Sequence, residues 1–351
     1  MIKETMTHKE RIDAVLAGNP VDRTPFCLVD GGAWIAKNEG MTYRTLYGLD
    51  DGGASKIVKW TDELGADIVS AVSGVFTAPL NAFGCPIHID DIGQPVNAGA
   101  ALTDPENEIP LLDKGTIREK LLANEFFRNM LRQCENVKAL VGGRKYLLGD
   151  IAAPFTMAAV MVGTQDFIMM MMDDEELAEQ LIDFTTHVSA EVFHLLHEKG
   201  CDIAFPADPV ASGNLLSQSM YETWALPALK KLKDMLPEYK YFFAHICGAS
   251  GARVASLKEA GVRAFSCDYA VEFDPALAAA DGKMAIFGNI NPAGNLLSGS
   301  AEDVYAEACE RIRIAAGRPF ILAPGCDMGA DTPLENILML PRACRDLTEK
   351  P

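Results

Sequence analysis

Eight short apolar runs, each bounded by polar residues or glycine turns, constrain the fold of this chain more than any other feature of its sequence. They are PFCLV (25–29), ADIVS (66–70), YLLGDI (146–151), CDIAFPAD (201–208), KYFFAHICG (240–248), RAFSCD (263–268), AIFGNI (285–290) and PFILAPGC (319–326). Most are separated by segments of helical period, such as DEELAEQLIDFTTHVSAEVFHLLHEKG and AEDVYAEACERIRIAAG, long enough for crossover helices between parallel strands. Eight strand-then-helix units predict an α/β fold of the (β/α)8 TIM-barrel type. Thr7 to Gly18 opens with a capping box, Thr7 and Glu10, and closes on glycine, which predicts an N-terminal helical segment before the barrel. Between the second and third runs, PIHIDDIGQPVNAG predicts a β-hairpin insertion. There is no internal repeat and no low-complexity tract, so residues 1–351 are expected to form a single domain.

Charge and cysteine usage narrow the function classes. A net charge of -18 leaves no surface suited to phosphate backbones, whose affinity rests on Lys and Arg, and no nucleic-acid partner is expected. The nine cysteines are scattered and odd in number in a long chain, which predicts reduced thiols and a cytoplasmic protein. The polar start, MIKETMTHKERID, lacks the apolar centre of a signal peptide. The most apolar stretch, MAAVMVGTQDFIMMMM, is broken by Thr164, Gln165 and Asp166 and falls short of the roughly 20 residues that span a bilayer. It is expected to be a buried helix, with Met169 to Met172 as core filler, and no membrane association follows.

In a barrel of this kind the site lies at the C-terminal ends of the strands. The polar residues in or just after the eight runs are Asp30, Asp67, Asp150, Asp208, His245, Cys247, Asp268, Asn289, Asn291, Cys326 and Asp327. Side chains two apart on a strand face the same way, so His245 and Cys247 can both address the barrel mouth. Closure of the barrel would bring Cys326 there as well. One His and two Cys suit Zn2+ with one position left open, and Asp268 is the candidate for an exchangeable fourth donor. Spacing alone is equally compatible with ordinary buried cysteines. His187, His194 and His197 share a helical segment and are expected to pack or face solvent. No phosphate-binding glycine motif follows a strand, so no nucleotide-cofactor residues are expected.

The motifs as a set resemble the uroporphyrinogen decarboxylase superfamily, from RIDAVLAGNPVDRTPF through FGCPIHI, GDIAAPFTMAAVMVG and DPVASGNLLS to FGNINP and ILAPGCDM. HICG together with APGC is similar to its corrinoid-dependent branch, the methylcobamide:coenzyme M methyltransferases. That resemblance implies zinc on His245, Cys247 and Cys326, and methyl transfer from a methylated corrinoid to a thiol such as coenzyme M. It further implies roles for Asp268 as the donor that leaves, and for Asp208 and Asn289 in hydrogen bonding to the acceptor or the histidine. A separate corrinoid-binding protein is the implied partner. The decarboxylases' arginine-rich segment is replaced by VDGGAWIAKN, their tyrosine by Val160 and their C-terminal histidine by Cys326. The methyltransferases' glutamate before F-G-C is also missing, with Asn81 nearest. The competing expectations are a tetrapyrrole-carboxylate decarboxylase and a non-catalytic barrel that binds corrinoid or thiol.

Overall fold

A computed structural model describes residues 4–46, 53–72, 77–88 and 96–347. Its strands in chain order are β1 (Ile68–Ser70), β2 (Ile87–His88), β3 (Val96–Asn97), β4 (Tyr146–Ala152), β5 (Ile203–Ala207), β6 (Tyr241–Ile246), β7 (Ala264–Cys267), β8 (Ala285–Ile290) and β9 (Phe320–Pro324). Strands β1 and β4 to β9 form one parallel sheet in sequential order. The first apolar run, 25–29, closes it. Phe26 bridges Leu322 in parallel, the Cys27 amide donates to Leu322 O at 3.0 Å, and the Asp67 amide donates to Phe26 O at 2.7 Å. Seven strands and one bridged segment thus make the expected TIM barrel. β2 and β3 pair antiparallel as the expected hairpin, whose tip, residues 89–95, lies outside the described residues.

Two apolar layers hold this arrangement. Leu148, Phe205, Phe243, Phe287 and Ile321 fill the barrel, alternating along their strands with residues that face the helices. Phe287 lies 6.1 Å from Phe205 and 6.4 Å from Phe243, ring centre to ring centre, so the barrel is plugged by aromatics below its mouth. The outer layer packs the strands against long amphipathic helices, chiefly Glu175–Glu198 and Ala301–Ala315. Helix His8–Leu16 starts with the expected capping box between Thr7 and Glu10.

The apolar stretch around Gly163 divides into two helices, Pro154–Val162 and Thr164–Asp173, bent by 102°. Among the described residues no single helix is long and apolar enough to cross a membrane. The first of the pair is buried as expected, but the methionine expectation needs correction. Met171 is buried, whereas Met169 is 53% and Met172 70% exposed, because the second helix presents only one face to the core.

Asp67 also departs from the row of polar residues at the barrel mouth. It precedes Ile68 and so lies at the N-terminal end of β1, away from the site. Its buried carboxylate accepts from Arg11, Arg23 and the Phe26 amide at 2.6 to 3.1 Å, and meets His8 at 2.7 Å. Burial alone would raise its pKa, but His8, Arg23 and Arg11 hold it down to about 2. This cluster fastens the N-terminal helix to the barrel.

Candidate metal centre

Strand alternation carries the polar layer of the mouth. On β6, Tyr241, Phe243 and His245 share the inward face, and His245 stands last, directly above the aromatic plug. Its ring centre is 6.2 Å from that of Phe205. On β7, Ser266 is the register partner of His245 and also points inward. His245 Nδ1 lies 3.1 Å from the Ser266 carbonyl oxygen and 3.0 Å from its hydroxyl. A carbonyl can only accept, so Nδ1 carries the proton and donates, which leaves the Nε2 lone pair aimed at the sulfurs. Nε2 is 2.9 Å from Cys247 Sγ and 4.0 Å from Cys326 Sγ.

Cys247 follows β6 at a turn that closes on Gly248, whose φ of 67° is left-handed and suits glycine. The 212–214 loop supports this turn: Asn214 Oδ1 accepts from the Ala249 amide at 2.9 Å and from the Ser212 hydroxyl at 3.0 Å. Cys326 arrives from β9 through Gly325, where a Cβ would stand 2.6 Å from the Tyr269 amide nitrogen. Only a residue without a side chain lets the end of β9 press against the end of β7. The two sulfurs are consequently 3.7 Å apart.

The ligand atoms of His245, Cys247 and Cys326 all lie within 4.8 Å of one another. Two sulfurs on one tetrahedral zinc, each at about 2.3 Å, are separated by about 3.7 Å. The sulfur pair has that spacing, and the donor set is the borderline-soft one that zinc favours. The hydrogen bond from Cys247 draws the Cys326 thiol well down, with His245 assisting against the effect of burial, while the same pairing pushes Cys247 up. Binding a metal would take the remaining protons from both sulfurs, since the ligand form of cysteine is the thiolate. His245 is buried but both cysteines are only half-buried, so the three donors are open towards the barrel mouth.

The other expected site residues occupy different positions. Asp268 is buried beside the cluster, but its carboxylate accepts from the Ala270 amide at 2.9 Å and is not among the three converging donors. Asp208 is buried at the end of β5, and its amide donates to the His245 carbonyl at 2.8 Å. Its carboxylate accepts from the Thr156 hydroxyl at 2.6 Å and the Thr156 amide at 3.1 Å, and burial raises it to about 6. Asn289 turns away from the sulfurs. Its carboxamide donates to the carbonyls of Asp268 and Val271 and accepts from Arg311 at 3.1 Å. Asn81 accepts from Asn124 at 2.8 Å and donates to Cys85 O, all within the region around the hairpin. His187, His194 and His197 pair separately with Asp183 O, Glu238 and Cys201 O.

Ser266 is the site residue that the sequence motifs did not single out. A hydroxyl in an apolar strand, two residues before Asp268 and therefore on the same face, was the available signal.

The profile of the family described as uroporphyrinogen decarboxylase (URO-D) matches residues 7–347. The chain is 27% identical over 352 residues to the methylcobamide:CoM methyltransferase MtaA of Methanosarcina barkeri, covering 95% of this chain and 96% of that one. It is 28% identical over 337 residues to the methylcobamide:CoM methyltransferase MtbA of Methanosarcina mazei, covering 94% and 95%. A solved methyltransferase structure from Methanosarcina mazei superposes with a TM-score of 0.86 at 25% identity, covering 97% of this chain and 99% of the other.

Proposed function

The chain belongs to the uroporphyrinogen decarboxylase family and is an enzyme of the methyltransferase type, and from that premise we propose that it moves a methyl group from a methylated corrinoid to a thiol, using zinc held by His245, Cys247 and Cys326. The observation that carries this reading is the convergence of one imidazole and two sulfurs, drawn from the ends of β6 and β9, at the open end of a plugged barrel. When bound there, zinc supplies positive charge that favours the acceptor as thiolate over thiol at neutral pH.

The chain's own groups set the conditions for that chemistry. Ser266 fixes the His245 tautomer and ring orientation, as a hydrogen-bonded partner does for a metal-binding imidazole. Phe205, Phe243 and Phe287 close the floor, so both substrates must enter from the mouth. Asp208 steadies the end of β6 through its amide, and Asn289 steadies the turn after β7 through two carbonyls. Both are positioning residues in this account. Asp268 would become a weak fourth donor only after rotation away from the Ala270 amide. In the overall reaction a carbon–sulfur bond forms and the cobalt–carbon bond breaks, the electron pair of that bond stays on cobalt as Co(I), and the thiol proton goes to solvent. A separate corrinoid-binding protein docking over the mouth is the proposed methyl donor, with free methylcorrinoid as its simplest substitute.

The test is incubation of the purified protein with methylcobalamin and 2-mercaptoethanol under anaerobic conditions. The expected result is conversion of the methyl-Co(III) spectrum to that of Co(I) with formation of the methyl thioether, both lost in Cys326→Ser. No spectral change with any of a panel of thiols would overturn the proposal.

A further inference from the structure

Beside the metal centre, at the same end of the barrel, lies an open cavity of about 670 Å3 that the chemistry above does not use. It is bounded by Tyr269 in the turn after β7, by Asn289 and Asn291 at the end of β8, and by helix Ala301–Ala315. Its walls are backbone neighbours of Cys326. The Gly325 amide donates to Ile290 O at 2.8 Å, and the same glycine presses against the Tyr269 amide nitrogen. The volume falls in the range of small-molecule sites, roughly 300–1,000 Å3.

The charged groups in this cavity are engaged with one another or with the helix end. Arg311 pairs with Glu310 at 3.3 Å and Glu307 at 3.9 Å and donates to Asn289, while Asp303 caps the helix through Ser300. The polar atoms left over, among the described residues, are neutral. Asn291 Oδ1 accepts from the Ala293 and Gly294 amides at 3.1 and 2.9 Å, which fixes the carboxamide and leaves its NH2 group free to donate. Asn295 donates to Glu307 at 2.9 Å, and because a carboxylate can only accept, the Asn295 carbonyl oxygen is the free atom. The Tyr269 hydroxyl makes no hydrogen bond, and the residue is 49% exposed. One free donor, one free acceptor and one hydroxyl able to act as either are the complement of a primary carboxamide, which brings an NH2 and a carbonyl. Three carboxylates against one guanidinium make the cavity unfavourable for an anion.

We propose that this cavity receives a peripheral carboxamide arm of the corrinoid while the cobalt stands over His245, Cys247 and Cys326. The proposal rests on the corrinoid-to-thiol reading above. A corrin ring carries carboxamide arms around its rim, so a ring whose metal faces the sulfurs extends arms sideways over the ends of neighbouring strands, β8 among them. Tyr269 and Asn295 accept from the NH2 group of the arm and Asn291 donates to its carbonyl.

Three cobalt-methylated corrinoids that differ only at the rim provide the test: cobyrinic acid heptaamide, its heptamethyl ester and the free heptacarboxylic acid. Equilibrium dialysis against the zinc-loaded protein, without thiol, is expected to show the amide bound about fivefold more tightly than the ester, the scale of one neutral hydrogen bond, and the acid bound most weakly. With 2-mercaptoethanol added, kcat/KM should follow the same order. Tyr269→Phe and Asn295→Ala each remove an acceptor for the NH2 group at an exposed position, and each should bring the amide to ester ratio down towards one while ester binding stays nearly constant. Equal binding of amide and ester by the unaltered protein would overturn the inference and leave methyl transfer to thiols intact. A ratio unmoved in both variants, or an acid bound as tightly as the amide, would do the same. Absence of turnover of the heptaamide and of methylcobalamin with every thiol would instead remove the functional reading on which it rests.

Discussion

Ser266 decides which imidazole nitrogen His245 offers to the sulfurs. With Nδ1–H donating to the Ser266 carbonyl, Nε2 is the free donor, and the hydroxyl adds a second contact that holds the ring's orientation. Ser266→Ala keeps the carbonyl and loses only the hydroxyl, so it is expected to lower zinc affinity by about 10-fold, the low end of the range for such contacts, with little change in fold, measured by competition against a chromophoric chelator. Asp208 gives a prediction in pH. Its carboxyl, raised by burial from 3.8 to about 6, takes up a proton in the folded state before the unfolded one does. The fold therefore loses stability as pH rises from about 4 to 6, and above pH 6 it bears the whole penalty, on the order of 3 kcal/mol. Asp208→Asn should flatten the stability profile across that window in denaturant titrations. The triad was legible in the sequence because strand alternation fixes the shared face of an H-x-C pair. Ser266 was not, since its contact depends on the register between β6 and β7. Asn289 drew attention as a strand-end polar residue, but the distant Arg311 takes up its carboxamide oxygen, and no spacing rule anticipates that partner.

At the scale of elements, the centre exists because the end of β9 presses against the end of β7 at Gly325. A methyl group there would stand 2.6 Å from a backbone nitrogen, and backbone cannot move aside as a flexible side chain can. Gly325→Ala is expected to cost about 1–3 kcal/mol in stability and to shift Cys326 away from Cys247, seen as reduced zinc retention after dialysis. The opposite end of the barrel depends on Asp67. Asp67→Asn would leave the buried Arg11 and Arg23 without their shared counter-charge, and chemical denaturation should reveal a loss of about 3–5 kcal/mol. Because the Asp67 carboxyl is depressed to about 2, its contribution to stability is present above pH 3.8 and lost as pH falls towards 2. The periodicity of eight runs made these elements legible. It did not reveal that residues 25–29 join by a single bridge, or that Asp67 faces away from the mouth, because both follow from how the barrel closes.

For the whole molecule, the centre ties metal to stability. Three donors from strands separated by nearly eighty residues become neighbours only in the folded chain, so a metal that binds them binds the native state. Zinc at about 100 times its dissociation constant should stabilise the protein by about 2.7 kcal/mol, and Cys326→Ser should show no such shift in its melting temperature. The fold class could be read from the strand rhythm and the family from its motifs, whereas the aromatic plug beneath the mouth emerged only once the strands were assembled.

The most direct measurement is X-ray absorption at the zinc edge of the purified protein, before and after addition of an acceptor thiol. The account predicts one zinc per chain with two sulfur neighbours near 2.3 Å and one nitrogen near 2.0 Å, and a third sulfur when thiol is added. A protein that binds no zinc, or that binds it through oxygen and nitrogen alone, would contradict it.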